Sequence, residues 1–253
     1  MAPLPTLALA RRIAAAYLRD DFILVIIYGE LRMGKSAYAL KVLGQVYDYL
    51  KDRPLSVDLV DQYLGWHPAD VIDDWFEIKK RIPMYIWDDA GYWLFSLQWH
   101  DPLLVAVQRY MNVIGTDMNC LVLTTPDPTW ILSKIVGMPG AIRVKVYKRD
   151  GGRPDHPSRL YSRHARGYKP YRSPDLKKTG VNKILDDDFS CYIPDDIYAF
   201  YFPKREHYAS QAKLEIRRVL NEQLAKGRKA GKVDDRIGEA IALMENKQAT
   251  SEA

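Results

Sequence analysis

The stretch Phe22-Ile-Leu-Val-Ile-Ile-Tyr28-Gly29-Glu30-Leu31-Arg32-Met33-Gly34-Lys35-Ser36 decides how this chain folds. Its first seven residues are apolar without alternation, which is how a strand reads when both faces of a parallel sheet are covered. Gly29 to Ser36 then matches the phosphate-loop pattern GxxxxGK[ST] at every fixed position. From Lys35 onward Leu40, Leu43, Val46, Tyr47 and Leu50 recur at helical spacing until Pro54 forbids continuation, so the order is strand, loop, helix. In that order the loop N–H groups and the helix N-terminus converge on one point, where a chain of phosphates can be held. All eight loop residues, Gly29, Glu30, Leu31, Arg32, Met33, Gly34, Lys35 and Ser36, are therefore candidates for nucleotide binding. Lys35 would neutralise the β- and γ-phosphates, and the Ser36 hydroxyl would ligate Mg²⁺. The competing reading is an ordinary glycine turn closed by a helix-capping serine.

A phosphate loop predicts a partner: a buried strand ending in a carboxylate on the magnesium side. Met84-Tyr-Ile-Trp87 runs into Asp88-Asp89 about 50 residues downstream, and Asp88 is the expected carboxylate. Taken alone, an apolar run closing on Asp is more often a strand reaching a turn; beside the loop it gains weight. Outward from this pair the text alternates. An amphipathic helix occupies the first 20 residues, entered through Pro5; residues 55–60 form a short strand; helices are expected at 69–80, 102–113 and around 128–136; Cys120–Thr125 and Ile142–Tyr147 are further strands. Such alternation is the pattern of an α/β, mostly parallel sheet between helical layers.

The loop and the acidic strand together resemble the additional-strand P-loop ATPases, the division that includes AAA+, RecA-like and DNA-pumping motor proteins, and this implies their three-layer P-loop NTPase fold. The resemblance implies that Asp89 polarises the attacking water. The usual residue there is Glu, so the shorter Asp carboxylate implies slow hydrolysis. It implies, too, that Thr124 or Thr125 at the tip of the next strand senses the γ-phosphate, although both also suit a strand end before Pro126. Oligomeric rings are common in the division, with an arginine reaching the neighbour's γ-phosphate; Arg143 and Arg109 are the candidates, against the commoner fate of a solvated or paired arginine. The phrase WDDAGYWL (Trp87–Leu94) and the motif order over residues 5–150 are similar to small ATPases of viruses and plasmids of hyperthermophilic archaea. That implies a DNA-directed role in replication initiation, loading or packaging, with ATP and Mg²⁺ as cofactors and a homo-oligomer as the working form.

Charge supplies the partner. The net charge is +5, yet Arg143 to Lys183 alone holds 13 Lys/Arg against 3 Asp/Glu, a local +10 that leaves the rest of the chain at −5. Lys145, Lys148, Arg149, Arg153, Arg159, Arg163, Arg166, Lys169 and Arg172 interleave with Tyr147, Tyr161, Tyr168 and Tyr171, a composition suited to phosphates and bases. DNA is the expected ligand; the alternative is a solvated loop, or one folded against Asp186-Asp187-Asp188 and Asp195-Asp196. By this reading 1–150 is the core, 151–190 a basic loop or hairpin region turned outward by Gly151-Gly152 and returning through Leu160–Arg163, and 191–253 a helical region broken at Gly227, Gly231 and Gly238, with a frayed tail.

Other classes recede. Two distant cysteines, Cys120 and Cys191, form no disulfide framework and no zinc pattern, and the five histidines show no metal or triad spacing. The longest apolar run falls far short of the ~20 residues of a membrane span, and no charged-then-apolar leader is read. A soluble protein of a reducing compartment is expected, in the host cytoplasm if the gene is viral or plasmid-borne. Tyr85, Trp87, Tyr92, Trp93, Phe95 and Trp99 are expected in the core. Two rival functions stand beside the DNA-directed ATPase: an ATP-gated assembly switch with little turnover, favoured by the short Asp89, and a small-molecule kinase, disfavoured because the Asp pair and the threonines suit water activation.

Overall fold

The computed structural model describes residues 3–148, 162–172 and 179–229. The elements run α1 (Ala8–Leu18), β1 (Ile23–Tyr28), α2 (Lys35–Lys51), α3 (Val57–Tyr63), β2 (Leu64–Gly65), α4 (Pro68–Phe76), β3 (Tyr85–Trp87), α5 (Ala90–Trp93), α6 (Pro102–Tyr110), β4 (Cys120–Thr125), α7 (Ser133–Val136), β5 (Ile142–Lys148), β6 (Ser162–Arg172), β7 (Thr179–Ser190) and α8 (Asp195–Lys229). Residues up to Phe202 form one compact unit and those from Pro203 another.

The first unit is built on a seven-stranded sheet of order β2-β3-β4-β1-β5-β6-β7. The five strands from β2 to β5 pair in parallel, with Ile23 opposite Cys120 and Tyr28 opposite Thr125 across β1 and β4. Val25, Ile26 and Ile27 in β1, Ile86 and Trp87 in β3, and Val122 and Leu123 in β4 are all fully buried, as unalternating runs in a doubly covered sheet must be. β4 lies between the loop-bearing β1 and the acidic β3, so it is the additional strand, and the architecture is the three-layer P-loop NTPase fold expected from the motifs.

Three expectations change. Residues 55–60 do not form a strand: the Ser56 hydroxyl accepts the Leu59 N–H and caps α3, whose Leu59, Val60 and Tyr63 then bury one helical face. The helix expected around 128–136 is reduced to a 3₁₀ turn, Pro128–Trp130, and the single turn of α7. Most consequentially, the basic region, expected as a loop or hairpin apart from the core, joins the core sheet. β6 pairs antiparallel with β5, Val146 opposite Ala165, and β7 pairs with β6, Ala165 opposite Asp187, so the segment extends the core sheet. Along β7 burial alternates, with Leu185, Asp187 and Phe189 inward and Asp186 and Asp188 outward, the signature of an antiparallel edge with one wet face.

Asp187 explains how a carboxylate sits inward. Its oxygens accept the Ala8 and Leu9 N–H groups at 2.6 and 3.2 Å and the Tyr38 hydroxyl at 2.6 Å. It thus caps the N-terminus of α1 from β7 and satisfies two otherwise orphaned donors. Burial, and then this carboxylate, push the Tyr38 hydroxyl well above its usual pKa. Of the aromatic run, Tyr85 and Trp87 are core, whereas Tyr92 and Trp99 are exposed. Cys120 is buried in β4 and Cys191 follows β7. Among the described residues no helix is long and apolar enough to cross a membrane. α8 runs through Pro203 and Gly227; Gly231, Gly238 and the tail lie outside the described residues.

Candidate functional site

β1 delivers the chain into the loop at Gly29, whose φ is +148°. A Cβ there would stand 2.3 Å from the Val146 carbonyl oxygen of β5, so only glycine lets the loop leave the sheet at this point. Arg32 and Gly34 take left-handed conformations, φ +62° and +89°, which turn successive N–H groups toward one side. Gly34 is the N-cap of α2 and supplies no side chain to its first turn, leaving the backbone donors of a 17-residue helix to meet an anion. Lys35, buried, reaches back over the loop, donating from Nζ to the Gly29 and Glu30 carbonyls at 2.9 Å each. Its ammonium is therefore held at the loop concavity, while Glu30, Leu31 and Arg32 are exposed around it.

The acidic strand meets the loop as the spacing required. Asp88 is fully buried at the end of β3, and its carboxylate gathers three hydroxyls. Ser36 Oγ and Thr124 Oγ1 donate to Oδ1 at 2.9 and 2.5 Å, and the Tyr201 phenol donates to Oδ2 at 2.6 Å. Thr124 in turn accepts the Asp89 N–H at 2.8 Å. Asp89, half-buried, caps α5 in a left-handed conformation, φ +49°, which only a tightly held residue keeps. One hydroxyl thus fixes both acidic residues to β4. Thr125, by contrast, donates to the Asp127 carbonyl at 2.8 Å; of the two sensor candidates the structure brings only Thr124 to the acidic pair.

Among the described residues the side-chain partners of Asp88 are the hydroxyls of Ser36, Thr124 and Tyr201, an oxygen set that suits a hard cation such as Mg²⁺ rather than a soft metal. The loop amides and Lys35 suit the phosphates that would share it. An apolar cavity of about 420 Å³ elsewhere, between α4 and α6 and lined by Ile72, Trp75, Phe76, Leu103 and Val107, offers no such donors; its one carboxylate, Asp117, is taken by the Tyr110 hydroxyl.

The basic residues divide. Arg163 is buried on β6, on the sheet face that carries α2, and its Nε donates to the Met33 carbonyl of the loop at 3.2 Å. It therefore belongs to the phosphate loop rather than to an outer surface. Arg143, Lys145 and Arg166 point to the opposite face, beside Tyr147 and Tyr168, by the alternation of paired strands. Arg166 lies 3.4 Å from the Asp186 carboxylate and 5.8 Å from the Tyr147 ring, and His164 and Lys183 also pair with Asp186. The alternative weighed from sequence, cations folded against the acidic cluster, is realised at these residues. Lys145, Lys148 and Lys169 are exposed. Arg149, Arg153, Arg159, Tyr161 and the Gly151-Gly152 turn lie outside the described residues, as do the surroundings of the Arg172 side chain. Arg143 sits mid-sheet between β1 and β6, its buried Nε without a hydrogen-bond partner among the described residues, and Arg109 is exposed on α6.

Sequence reasoning missed Tyr201 and misplaced Arg163. Nothing in the local text around Tyr201 marks it; the i, i+4 pair Ile197 and Tyr201, both buried at the start of α8, is the one signal that this turn faces the core.

No protein-family model matches the chain. The uncharacterized protein B-251 of Sulfolobus spindle-shape virus 1 is 27% identical over 225 residues, covering 84% of this chain and 85% of that protein. It comes from an archaeal virus, in line with the resemblance read from motif order. Among solved structures, the genome packaging NTPase B204 from Sulfolobus turreted icosahedral virus 2 in complex with AMPPCP is 14% identical, covers 66% of this chain and 98% of that one, and has a TM-score of 0.36. The N-terminal domain of zonular occludens toxin from Neisseria meningitidis is 12% identical, covers 71% and 98%, and has a TM-score of 0.35.

Proposed function

We propose that this chain binds and hydrolyses ATP with Mg²⁺ and couples that cycle to DNA, as an oligomer, in the replication, loading or packaging of a mobile genetic element. One observation carries the reading: Lys35, Ser36, Asp88, Thr124 and Asp89 converge from three strand ends on the mouth of a left-handed, glycine-based loop. Backbone donors of Gly29 to Ser36 hold the phosphates, and Lys35 exchanges its carbonyl partners for phosphate oxygens. Ser36 and Asp88 would hold Mg²⁺, which would supply neutralisation of the phosphate charge. Thr124 keeps Asp88 and Asp89 in register, and Asp89 accepts a proton from the attacking water.

DNA contact falls to Lys145, Lys148 and Lys169, which the structure leaves exposed, together with Arg149, Arg153 and Arg159. Arg143 or Arg109 is the arginine offered to a neighbouring subunit. The test is ATP hydrolysis by the purified protein with Mg²⁺, with and without single- and double-stranded DNA. Lys35→Ala abolishes turnover, and DNA stimulates the wild type but not a Lys145→Ala/Lys148→Ala variant; full activity in Lys35→Ala refutes the site. The rival reading, an ATP-gated assembly switch, is favoured by the short Asp89 side chain, and it predicts tight ATP binding with negligible turnover in the same assay.

A further inference from the structure

Asp88 is fully buried, yet its carboxylate keeps company with hydroxyls from three distant parts of the chain: Ser36 on α2, Thr124 on β4 and Tyr201 on α8. A carboxylate removed from water needs its lone pairs met, and Ser36 and Thr124 both serve Oδ1. The second oxygen is met at 2.6 Å by Tyr201, 113 residues away in sequence. The phenol ring is buried, lies 5.5 Å from the Trp66 ring, and shares the inward side of α8 with Ile197. Packing alone would be served by phenylalanine; the hydroxyl adds the contact to Asp88.

We propose that Tyr201 is a positioning residue for the metal carboxylate, and that through it the opening turns of α8, Asp195 to Phe202, are coupled to Mg²⁺-dependent nucleotide binding. The inference rests on the nucleotide reading of the site. A carboxylate that serves a metal is oriented by the groups that hydrogen-bond its other lone pairs, and losing such a partner typically weakens the metal ~10–100-fold. Here that partner is carried by the helix leading out of the compact unit, so whatever the metal gains from an oriented Asp88 it returns, by reciprocity, as order in that helix. The phosphate contacts of the loop do not pass through Tyr201, so they are indifferent to it.

The test uses the full chain and mant-ATP, a fluorescent ATP analogue, titrated first in EDTA and then across Mg²⁺ concentrations. In Tyr201→Phe the EDTA affinity stays within about twofold of wild type, while the Mg²⁺ concentration giving half of the affinity gain rises about 10–100-fold. Ile197→Ala loosens the same turn without touching Asp88 and leaves the Mg²⁺ dependence in place. Amide exchange of residues 195–202 in the wild type slows when Mg²⁺ is added to the mant-ATP complex, and does not slow in Tyr201→Phe.

Superimposable Mg²⁺ titrations for wild type and Tyr201→Phe overturn the proposal, as does an equal shift in Ile197→Ala, which would assign the effect to packing. The exchange experiment on the wild type needs no variant to fold: unchanged protection at 195–202 on adding Mg²⁺ also overturns it. Failure of the wild type to bind mant-ATP under either condition overturns the nucleotide reading itself, a separate result from binding that ignores Tyr201.

Discussion

Replacing Thr124 by valine keeps the shape of a fully buried side chain and deletes one hydroxyl that works in two directions. That hydroxyl donates to Asp88 Oδ1 at 2.5 Å and accepts the Asp89 N–H at 2.8 Å. A hydrogen bond to a charged group contributes ~1.5–3 kcal/mol, and a buried N–H left without a partner costs ~1–3 kcal/mol. Ser36 still donates to the same carboxylate oxygen, so the low end of both ranges applies and the loss is about 2.5 kcal/mol. In a folded unit of this size each kcal/mol moves Tm by roughly 2–4 °C, which sets the fall at about 5–10 °C. Thr125→Val, next along the strand, removes a single neutral bond to the Asp127 carbonyl, worth ~1 kcal/mol or about 2–4 °C. Calorimetry of the two variants in nucleotide-free buffer is the assay, and hydrolysis should fall with Thr124→Val and persist with Thr125→Val. Equal Tm values for the pair would refute the argument that Thr124 is the tie between the acidic residues and the sheet.

Arg163→Met breaks the 3.2 Å contact to the Met33 carbonyl and should weaken ATP binding about tenfold, the equivalent of ~1.4 kcal/mol, while leaving the salt dependence of DNA binding unchanged; a salt slope reduced by about one unit would return Arg163 to the nucleic-acid surface. Asp186 gives a pH dependence. A hydrogen bond from Lys183, aided by the nearby His164 and Arg166, holds its carboxyl below the ordinary range. A depressed folded-state value means that its contribution is complete above the unfolded value of about 3.9 and is lost as pH falls through the folded one. Amide protection factors in β6 and β7 should therefore be level between pH 7 and 5 and decline below about pH 4, and Asp186→Asn should erase that decline.

What was legible in the sequence was whatever a motif or a covered strand writes into consecutive residues. The loop is a motif, and β1, the acidic strand and β4 are runs in which most residues are buried, so periodicity and burial say the same thing. β7 defeated that logic because the inward position at its centre is Asp187, a carboxylate made tolerable by the N–H groups of α1 some 180 residues away in sequence. Ile184 to Phe189 therefore reads as an acidic patch, although its burial alternates as strictly as any edge strand. Residues 55–60 erred the other way: Leu55 and Val57 look extended until Ser56 is recognised as a cap. The i, i+4 spacing of Ile197 and Tyr201 hints that the turn is buried, but the role of Tyr201 lies in the partner of its hydroxyl and not in its neighbours along the chain.

The charge map shows the same limit from the side of function. A local balance of +10 between Arg143 and Lys183 invites a polyanion, but formal charge is not field. Arg163 is drawn onto the phosphate loop, and Arg166 and Lys183 face Asp186, which stands three residues past the end of the counted window. Cations closed into such pairs can meet a DNA backbone only by giving up a partner they already have, so the exchange brings little net attraction. The exposed lysines differ. Lys145 and Lys148 lie on β5, which runs beside the loop strand β1 with Lys145 paired to Tyr28, one residue before Gly29. A phosphate bound there from DNA would be registered on the same two strands that shape the nucleotide loop, whereas one bound at β7 would have to act through the paired edge. If the chain couples ATP to DNA, the coupling should run through β5, and Lys145→Ala should lower DNA-stimulated turnover more than DNA affinity.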